Sequence, residues 1–76
     1  MKNIPIRTEF ITLGQLLKLA DLIDTGGQAK QFLREHAIFV NGEPENRRGR
    51  KLRPGDVVQV EGSEPFQVIG READCS

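Results

Sequence analysis

The fold is decided by residues 25–42, which read TGGQAKQFLREHAIFVNG and change from a helical pattern to a strand pattern. Residues 24–27 predict a turn, because two adjacent glycines make the backbone permissive and an Asp or Thr can accept hydrogen bonds from the free N–H groups of a following helix. Apolar residues then recur at helical spacing at Ala29, Phe32 and Leu33. This spacing predicts a helix with one packed face.

That helix should end near residues 35–36, because the residues that follow favour a strand. Ile38–Val40 is a β-branched and aromatic run, which is typical of strands. Asn41 and Gly42 come directly after it and signal a tight turn, so we assign Asn41 to the turn. His36 is expected at the helix C-terminus, where its imidazole could bond the last carbonyl groups or its backbone could adopt left-handed geometry.

An earlier helix is predicted over residues 13–22. Thr12 followed by Gln15 is a capping-box pattern, which marks a helix start. The residues at i, i+3, i+4 and i+7 that would form its apolar face are Leu13, Leu16, Leu17 and Ala20. Residues 4–11 alternate loosely and contain Pro5, which predicts an N-terminal extended arm or edge strand over residues 1–11.

The last third of the chain predicts strands. Residues 53–56 read as a turn, Val57–Val60 as a strand and residues 66–69 as another. The order of elements predicts an α+β fold in which a helix pair packs on a small antiparallel β-sheet. We expect a single domain over residues 12–69 and a flexible C-terminal tail over residues 70–76.

The charge is distributed unevenly along a chain whose formal net charge is zero. Residues 1–46 carry a net charge of −1, residues 47–53 carry +5 and residues 54–76 carry −4. Residues 47–53, here called the basic segment, are predicted to hang from the sheet as a loop. Such a patch attracts phosphates whatever the total charge is, although a run this short is as often simply a solvated surface. Its cations are Arg47, Arg48, Arg50, Lys51 and Arg53.

Few residues could carry catalysis. The chain has one histidine, His36, and one cysteine, Cys75, and neither has an evident base or nucleophile as a partner. One His and one Cys cannot build a standard structural zinc site. Glu43 and Glu45 flank a proline in a predicted loop, where solvated turn residues are expected rather than a tuned acid pair. The sequence therefore predicts a protein that is not an enzyme and needs no cofactor or metal.

The composition favours a soluble, cytoplasmic protein. No apolar run approaches the roughly 20 residues needed to span a bilayer, and the N-terminus lacks the apolar core of a signal peptide. A single cysteine forms no internal disulfide, which fits a reducing compartment. Trp and Tyr are absent and the chain has four phenylalanines, so binding of single strands by an aromatic platform is not expected.

Three segments together resemble motifs of the S4 RNA-binding domain. Residues 25–30 (TGGQAK), 38–42 (IFVNG) and 52–60 (LRPGDVVQV) are similar, in order and spacing, to that family's Ser-x-x-x-Ala helix start, its Val-x-Val-Asn-Gly strand and turn and its Gly-Asp-x-Val-x-Val strand. The resemblance covers residues 12–61. Residues 39–52 are also similar to the small stand-alone S4 proteins of bacteria, of the YaaA and YbcJ type.

The resemblance implies an S4-like (alpha-L) fold that grips structured RNA with its second helix and adjacent loops. It also implies ribosomal RNA or a ribosome-assembly intermediate as the partner, with no membrane and no small-molecule substrate. Two positions depart from the family pattern. Gly26 stands where many S4 domains have an arginine, and His36 stands where they usually have the glycine that ends the helix.

The candidate RNA site combines the second helix with the basic segment. Lys30 and Arg34 lie one turn apart on a stripe separate from the apolar face, although as isolated residues they fit an ordinary exposed helix face more readily. A-form RNA hides its base edges in a deep groove, so such a surface would recognise shape. Phosphate contacts are expected from Lys30, Arg34, Arg47, Arg48, Arg50, Lys51 and Arg53, and polar contacts to sugar or base from Thr25, Gln28, Gln31 and Asn46.

Two other functions remain open at the level of sequence. The strand and turn segments also occur in β-grasp carriers and protein-interaction modules, although such carriers end in Gly-Gly whereas this chain ends in Ala-Asp-Cys-Ser. A helix-turn-helix protein would instead place the second helix in the major groove of duplex DNA. Comparing the binding of folded RNA with the binding of an equivalent DNA duplex would separate these possibilities.

Overall fold

The computed structural model describes residues 1–70, which form two helices and seven strands. The helices are α1 (Leu13–Leu19) and α2 (Gly27–Glu35). The strands are β1 (Lys2–Ile6), β2 (Ile11–Thr12), β3 (Ile38–Val40), β4 (Glu43–Pro44), β5 (Lys51–Leu52), β6 (Val57–Val60) and β7 (Phe66–Gly70). Of the predicted tail, residues 71–76 lie outside the described residues and Gly70 belongs to β7.

The start of α1 is fixed by the predicted capping box. The backbone N–H of Gln15 donates to Thr12 Oγ1 at 3.2 Å, and the backbone N–H of Thr12 donates to Gln15 Oε1 at 2.9 Å. Two N–H groups at the helix start are thereby satisfied by side chains. The predicted apolar face is confirmed, since its members are buried: Leu13, Leu16, Leu17 and Ala20.

The end of α1 comes three residues earlier than predicted. Asp21 has a φ of 63°, and its N–H donates to the carbonyl of Lys18 while the N–H of Leu22 donates to the carbonyl of Leu17, both at 3.0 Å. This pair of hydrogen bonds is the Schellman motif that closes a helix. The prediction of residues 13–22 was wrong because Leu22 and Ile23 still pack on the core after the backbone has turned, which extends the apolar pattern beyond the helix.

At the start of α2, a side chain of the helix accepts hydrogen bonds from the preceding turn, which is the reverse of the prediction. Instead of Asp24 or Thr25 accepting from the helix, Gln28 Oε1 accepts from the backbone N–H groups of Asp24 at 2.6 Å and Thr25 at 3.1 Å. The N-cap residue is Gly26, which has no side chain that could accept a hydrogen bond from the helix. The apolar face of α2 is confirmed, with Ala29 and Leu33 buried and Phe32 partly buried against the core.

His36 ends α2 without the geometry that was predicted for it. Its φ of −128° and ψ of 141° are those of extended backbone, so no glycine is needed at this position. Its ring stacks on Phe32 with the centroids 4.3 Å apart, and its side chain makes no hydrogen bond within residues 1–70. The residue leads directly into β3 and packs against the last turn of the helix.

The main sheet has the strand order β1-β7-β6-β3-β4. Its central pairings are antiparallel, but β1 runs parallel to β7, with Ile4 opposite Val68. The predicted α+β fold with a helix pair on a small sheet is therefore confirmed, and the sheet is mixed rather than purely antiparallel. Strands β2 and β5 form a separate antiparallel pair next to the N-terminus of α1.

Asn41 acts in the turn to which the sequence assigned it. Asn41 and Gly42 have φ values of 52° and 85°, as a tight hairpin turn requires. The side chain of Asn41 donates to Asp56 at 3.1 Å and accepts from the backbone N–H of Val57 at 2.9 Å. This side chain therefore ties the β3–β4 hairpin to the start of β6.

A single apolar core lies between the helix pair and one face of the sheet. Alternate residues of the strands enter it, as the period of two in a strand requires, except in β4, where Glu43 and Pro44 are both exposed. Every residue that is buried within the described part of the chain is apolar or glycine. The strand residues of the core are Ile4, Ile6, Ile11, Ile38, Val40, Leu52, Val58, Val60, Phe66 and Val68.

The left-handed backbone at Asp21 gives a stability prediction. Replacing Asp21 with Gly should raise the free energy of unfolding by roughly 0.5–1 kcal/mol, because glycine adopts a positive φ without the steric cost that a Cβ adds. The matched control is Lys18→Gly, on the exposed side of α1, which should lower stability by about 1 kcal/mol. Urea denaturation measures both, and an Asp21→Gly protein no more stable than the original would contradict this account.

Candidate nucleic-acid interface

The basic segment is attached to the N-terminus of α1 and does not hang from the sheet as predicted. The backbone N–H of Leu13 donates to the carbonyl of Arg50 at 2.8 Å, and that of Gly14 donates to the carbonyl of Arg48 at 2.9 Å. The pairing of β2 with β5 places Thr12 opposite Lys51 and continues this attachment. Carbonyls of the segment thus satisfy N–H groups that a helix start leaves free.

Three elements meet at Gly14. A Cβ at this position would lie 3.5 Å from both the Cβ and the carbonyl oxygen of Arg48, and 3.6 Å from the Cβ of Ala29. The backbone of the basic segment therefore approaches α1 and α2 closely at one point. These are ordinary van der Waals separations, so Arg48, Gly14 and Ala29 are packed side by side without strain.

Lys30 of α2 and Arg48 of the basic segment line the same cleft, here called the cationic cleft. It is lined by Lys30, Leu33, Asn46, Arg47, Arg48 and Gly49. A second cleft, on the other side of Arg48, is lined by Thr12, Gly14, Gln15, Lys18, Gly26, Arg48 and Gly49. Arg48 thus borders both clefts, and Lys30 of α2 lines the first of them together with residues of the basic segment.

The contribution of α1 was missed by sequence reasoning. Gln15 and Lys18 are exposed and line the second cleft together with Arg48. The signal was present, because both residues lie off the apolar face that predicted the helix. What the sequence could not show is that this outer face lies beside the basic segment.

Glu45 is an ion-pair partner of the basic segment and not the solvated turn residue that was predicted. Its carboxylate contacts Arg47 Nε at 3.0 Å and Arg50 Nη1 at 3.3 Å, and its side chain is only 8% exposed. The pKa of Glu45 is lowered, chiefly because the Arg47 side chain donates a hydrogen bond to it, and this outweighs the opposing effect of burial. Two of the cations of the segment are therefore held by a carboxylate.

The other cations differ in their surroundings. The Nζ atom of Lys51 lies 5.0 Å from the centroid of the Phe10 ring, a cation–π contact. Arg53 lies in the turn before β6, where its backbone N–H donates to Asp56 at 2.8 Å. Within residues 1–70, no ion pair involves any of the exposed cations Lys30, Arg34, Arg48, Lys51 and Arg53.

Some predicted polar residues lie apart from the cationic cleft. Gln28 and Gln31 line a different groove beside the end of α1, together with the acidic residues Asp21, Asp24 and Glu35. Thr25 is exposed in the turn before α2, with its backbone N–H bonded to Gln28. Asn46, by contrast, lies in the cationic cleft itself.

The described residues offer no cluster of three or more His, Cys, Asp or Glu side chains that could hold a metal ion. Among them there is also no helix long and apolar enough to cross a membrane. Cys75 lies outside the described residues. What residues 1–70 do offer is two adjacent clefts lined by the exposed cations Lys18, Lys30, Arg47 and Arg48.

Comparison with known proteins identifies relatives. Residues 4–69 match the model of a family described as "S4 domain". The "Probable ribosome maturation protein RlbA" of Bacillus subtilis (strain 168) is 65% identical over 66 residues, which cover 87% of this chain and 93% of that protein. That relative therefore contains little besides the region shared with this chain, in agreement with the predicted small stand-alone type.

The lowered pKa of Glu45 gives a prediction of pH dependence. Glu45→Gln should lower the free energy of unfolding at pH 7, because it removes the carboxylate that holds Arg47 and Arg50. A folded-state pKa below the ordinary value of 4.5 means that this contribution is complete above that value and is lost as the pH falls through the folded-state pKa. Urea denaturation of both proteins across this range should show the difference shrinking in acid.

The matched control is Glu43→Gln, which removes the same charge from exposed β4. Glu43 has no ion-pair partner within the described residues, so its loss should change stability by less than about 0.5 kcal/mol at any pH. A deficit of Glu45→Gln that stayed constant down to acid pH would show that the carboxylate charge is not what stabilises the segment.

Proposed function

This chain belongs to the S4 domain family, and we propose that it binds structured RNA without catalysing a reaction. The observation that carries the proposal is the cationic cleft, which is lined by both Lys30 of α2 and Arg48 of the basic segment. Neither side chain is engaged by a carboxylate within residues 1–70. Both are therefore free to bind phosphate.

The attachment of the basic segment to α1 supports binding to a rigid partner. Hydrogen bonds from Leu13 and Gly14 hold the carbonyls of Arg50 and Arg48, so the backbone that carries these side chains is ordered before RNA arrives. Binding then costs less conformational entropy than ordering a free loop would. A fixed cationic surface of this kind suits A-form RNA, which presents phosphates and 2′-hydroxyls in a regular arrangement.

The proposed phosphate-binding residues differ in their place in the clefts and in whether a carboxylate already pairs with them. Lys30 and Arg48 are central, and Lys18 extends the surface onto α1. Arg47 and Arg50 are partly neutralised by Glu45, although the Arg47 side chain is 75% exposed and keeps donors free for a phosphate. The remaining proposed contacts are Arg34, Lys51 and Arg53 to phosphate and Asn46 to sugar or base, while the assignment of Thr25, Gln28 and Gln31 stays a prediction from sequence.

The partner we propose is ribosomal RNA or an assembling ribosomal particle in the cytoplasm. The support is the printed name of the Bacillus subtilis relative, a probable ribosome maturation protein, together with 65% identity. The proposal requires no cofactor, metal or small-molecule substrate. Membership of the S4 domain family argues against a β-grasp carrier, and no feature of the clefts favours a DNA duplex over RNA.

The salt dependence of binding tests the phosphate contacts. Lys30→Ala should weaken binding to a folded ribosomal RNA fragment by about five- to tenfold near 0.1 M salt, and should reduce the slope of log affinity against log salt by about 0.7–0.9. The matched control is Lys2→Ala, which removes the same charge from β1 at the opposite edge of the sheet from β4. Fluorescence anisotropy across a salt series measures both.

Equal effects of Lys30→Ala and Lys2→Ala would indicate attraction by total charge and would remove α2 from the site. A matched DNA duplex belongs in the same experiment, because tighter binding to DNA would overturn the choice of RNA. Ultraviolet crosslinking in cells, followed by sequencing of the bound RNA, would then test the ribosomal partner. Recovery of RNA without enrichment of ribosomal sequences would contradict that part of the proposal.

A further inference from the structure

Phe39 is an exposed aromatic residue on the outer face of the sheet. Its neighbours in β3, Ile38 and Val40, are 3% and 2% exposed because they point into the core, whereas Phe39 is 36% exposed. It lies opposite Gln59 of β6 and Pro44 of β4. An aromatic ring that the core does not use is available for a ligand.

Phe39 borders a cleft that runs into the cationic cleft, and we call it the apolar cleft. Phe39, His36 and Pro44 contribute to its walls, and its volume is about 270 Å³, slightly below the range of roughly 300–1,000 Å³ that holds drug-sized ligands. Leu33 and Asn46 line both this cleft and the cationic cleft. A nucleotide with its phosphate near Lys30 and Arg48 therefore has a continuous path for its base.

The charges decide which part of a nucleotide enters the apolar cleft. No Lys or Arg lines it, and its one charged residue is Glu45, whose lowered pKa keeps it a carboxylate. Because that carboxylate is already paired with Arg47 and Arg50, the apolar cleft offers a phosphate no free cation, whereas the neighbouring cationic cleft offers Lys30 and Arg48. A neutral, flat base fits the cleft better, with the Phe39 ring for stacking and the Asn46 amide for hydrogen bonds to its edge.

We propose that the apolar cleft receives one unpaired nucleobase of the RNA whose phosphates lie in the cationic cleft. This inference rests on the proposed function and narrows it, because a base inside a continuous duplex cannot leave its stack without cost. The preferred RNA then carries a bulge or loop beside a helical stem. The paucity of aromatic residues argued against stacking platforms, but one ring beside a phosphate site suffices for one base.

The test compares two RNA hairpins that differ in a single bulged adenosine. The original protein should bind the bulged hairpin about fivefold or more tightly, since stacking on an aromatic side chain is worth at least that factor. Phe39→Leu keeps an apolar side chain and should lose this preference while keeping its affinity for the uninterrupted hairpin. Phe39→Tyr retains the ring and should retain the preference, and Lys30→Ala should weaken binding of both hairpins.

A second readout is independent of affinity. In this experiment 2-aminopurine replaces the bulged adenosine, and its fluorescence is measured at saturating protein. Binding of the original protein or of Phe39→Tyr should change the 2-aminopurine fluorescence, and binding of Phe39→Leu should not. Equal affinity of the original protein for both hairpins, or a preference that survives Phe39→Leu, would overturn the base-binding role. Failure of the original protein to bind either hairpin would instead count against the proposed function, so the two failures are distinguishable.

Discussion

The hydrogen bonds from the N-terminus of α1 to the carbonyls of Arg48 and Arg50 are the constraint on which the surface depends. A helix start needs acceptors for its free N–H groups, and here the basic segment supplies two of them. The same contacts that complete the helix also order a stretch of chain that would otherwise be a mobile, self-repelling loop. Stability of α1 and geometry of the cationic surface are therefore coupled.

Electrostatic contacts then hold individual side chains of the basic segment in place. The five cations of the basic segment are not equivalent, because Glu45 holds Arg47 and Arg50 while Lys51 lies over Phe10. Of these five cations, Arg48 is the one that borders both clefts beside α1 and α2. A carboxylate within a basic surface reduces repulsion between neighbouring guanidinium groups.

The features that sequence predicted well are local ones. The Thr12 and Gln15 capping box, the turn at Asn41 and Gly42 and the apolar face of α2 each depend on residues close together in the chain, and each is present. The face of α2 that carries Lys30 was visible from the same periodicity. Resemblance to S4 motifs indicated the family and the fold class, but it did not indicate the parallel pairing of β1 with β7.

The features that were missed depend on partners distant in sequence or on competition between local signals. The position of Arg48 against Gly14 needs the folded backbone, and the role of Glu45 depends on how the backbone between it and Arg50 folds. Asp21 ended α1 early although the apolar pattern continued. His36 ends α2 as predicted, but its backbone is extended because the chain leads directly into β3.

The parallel pairing of β1 with β7 has a consequence for how the chain folds. Lys2 lies opposite Phe66 and Ile6 opposite Gly70, so the first strand finds its partner only in the last. Contacts between residues so far apart in sequence form slowly, because a long loop must close before they stabilise anything. During synthesis β1 is therefore expected to stay unpaired, with the side chains of Ile4 and Ile6 exposed to solvent. This lasts until β7, and so almost the whole domain, has left the ribosome.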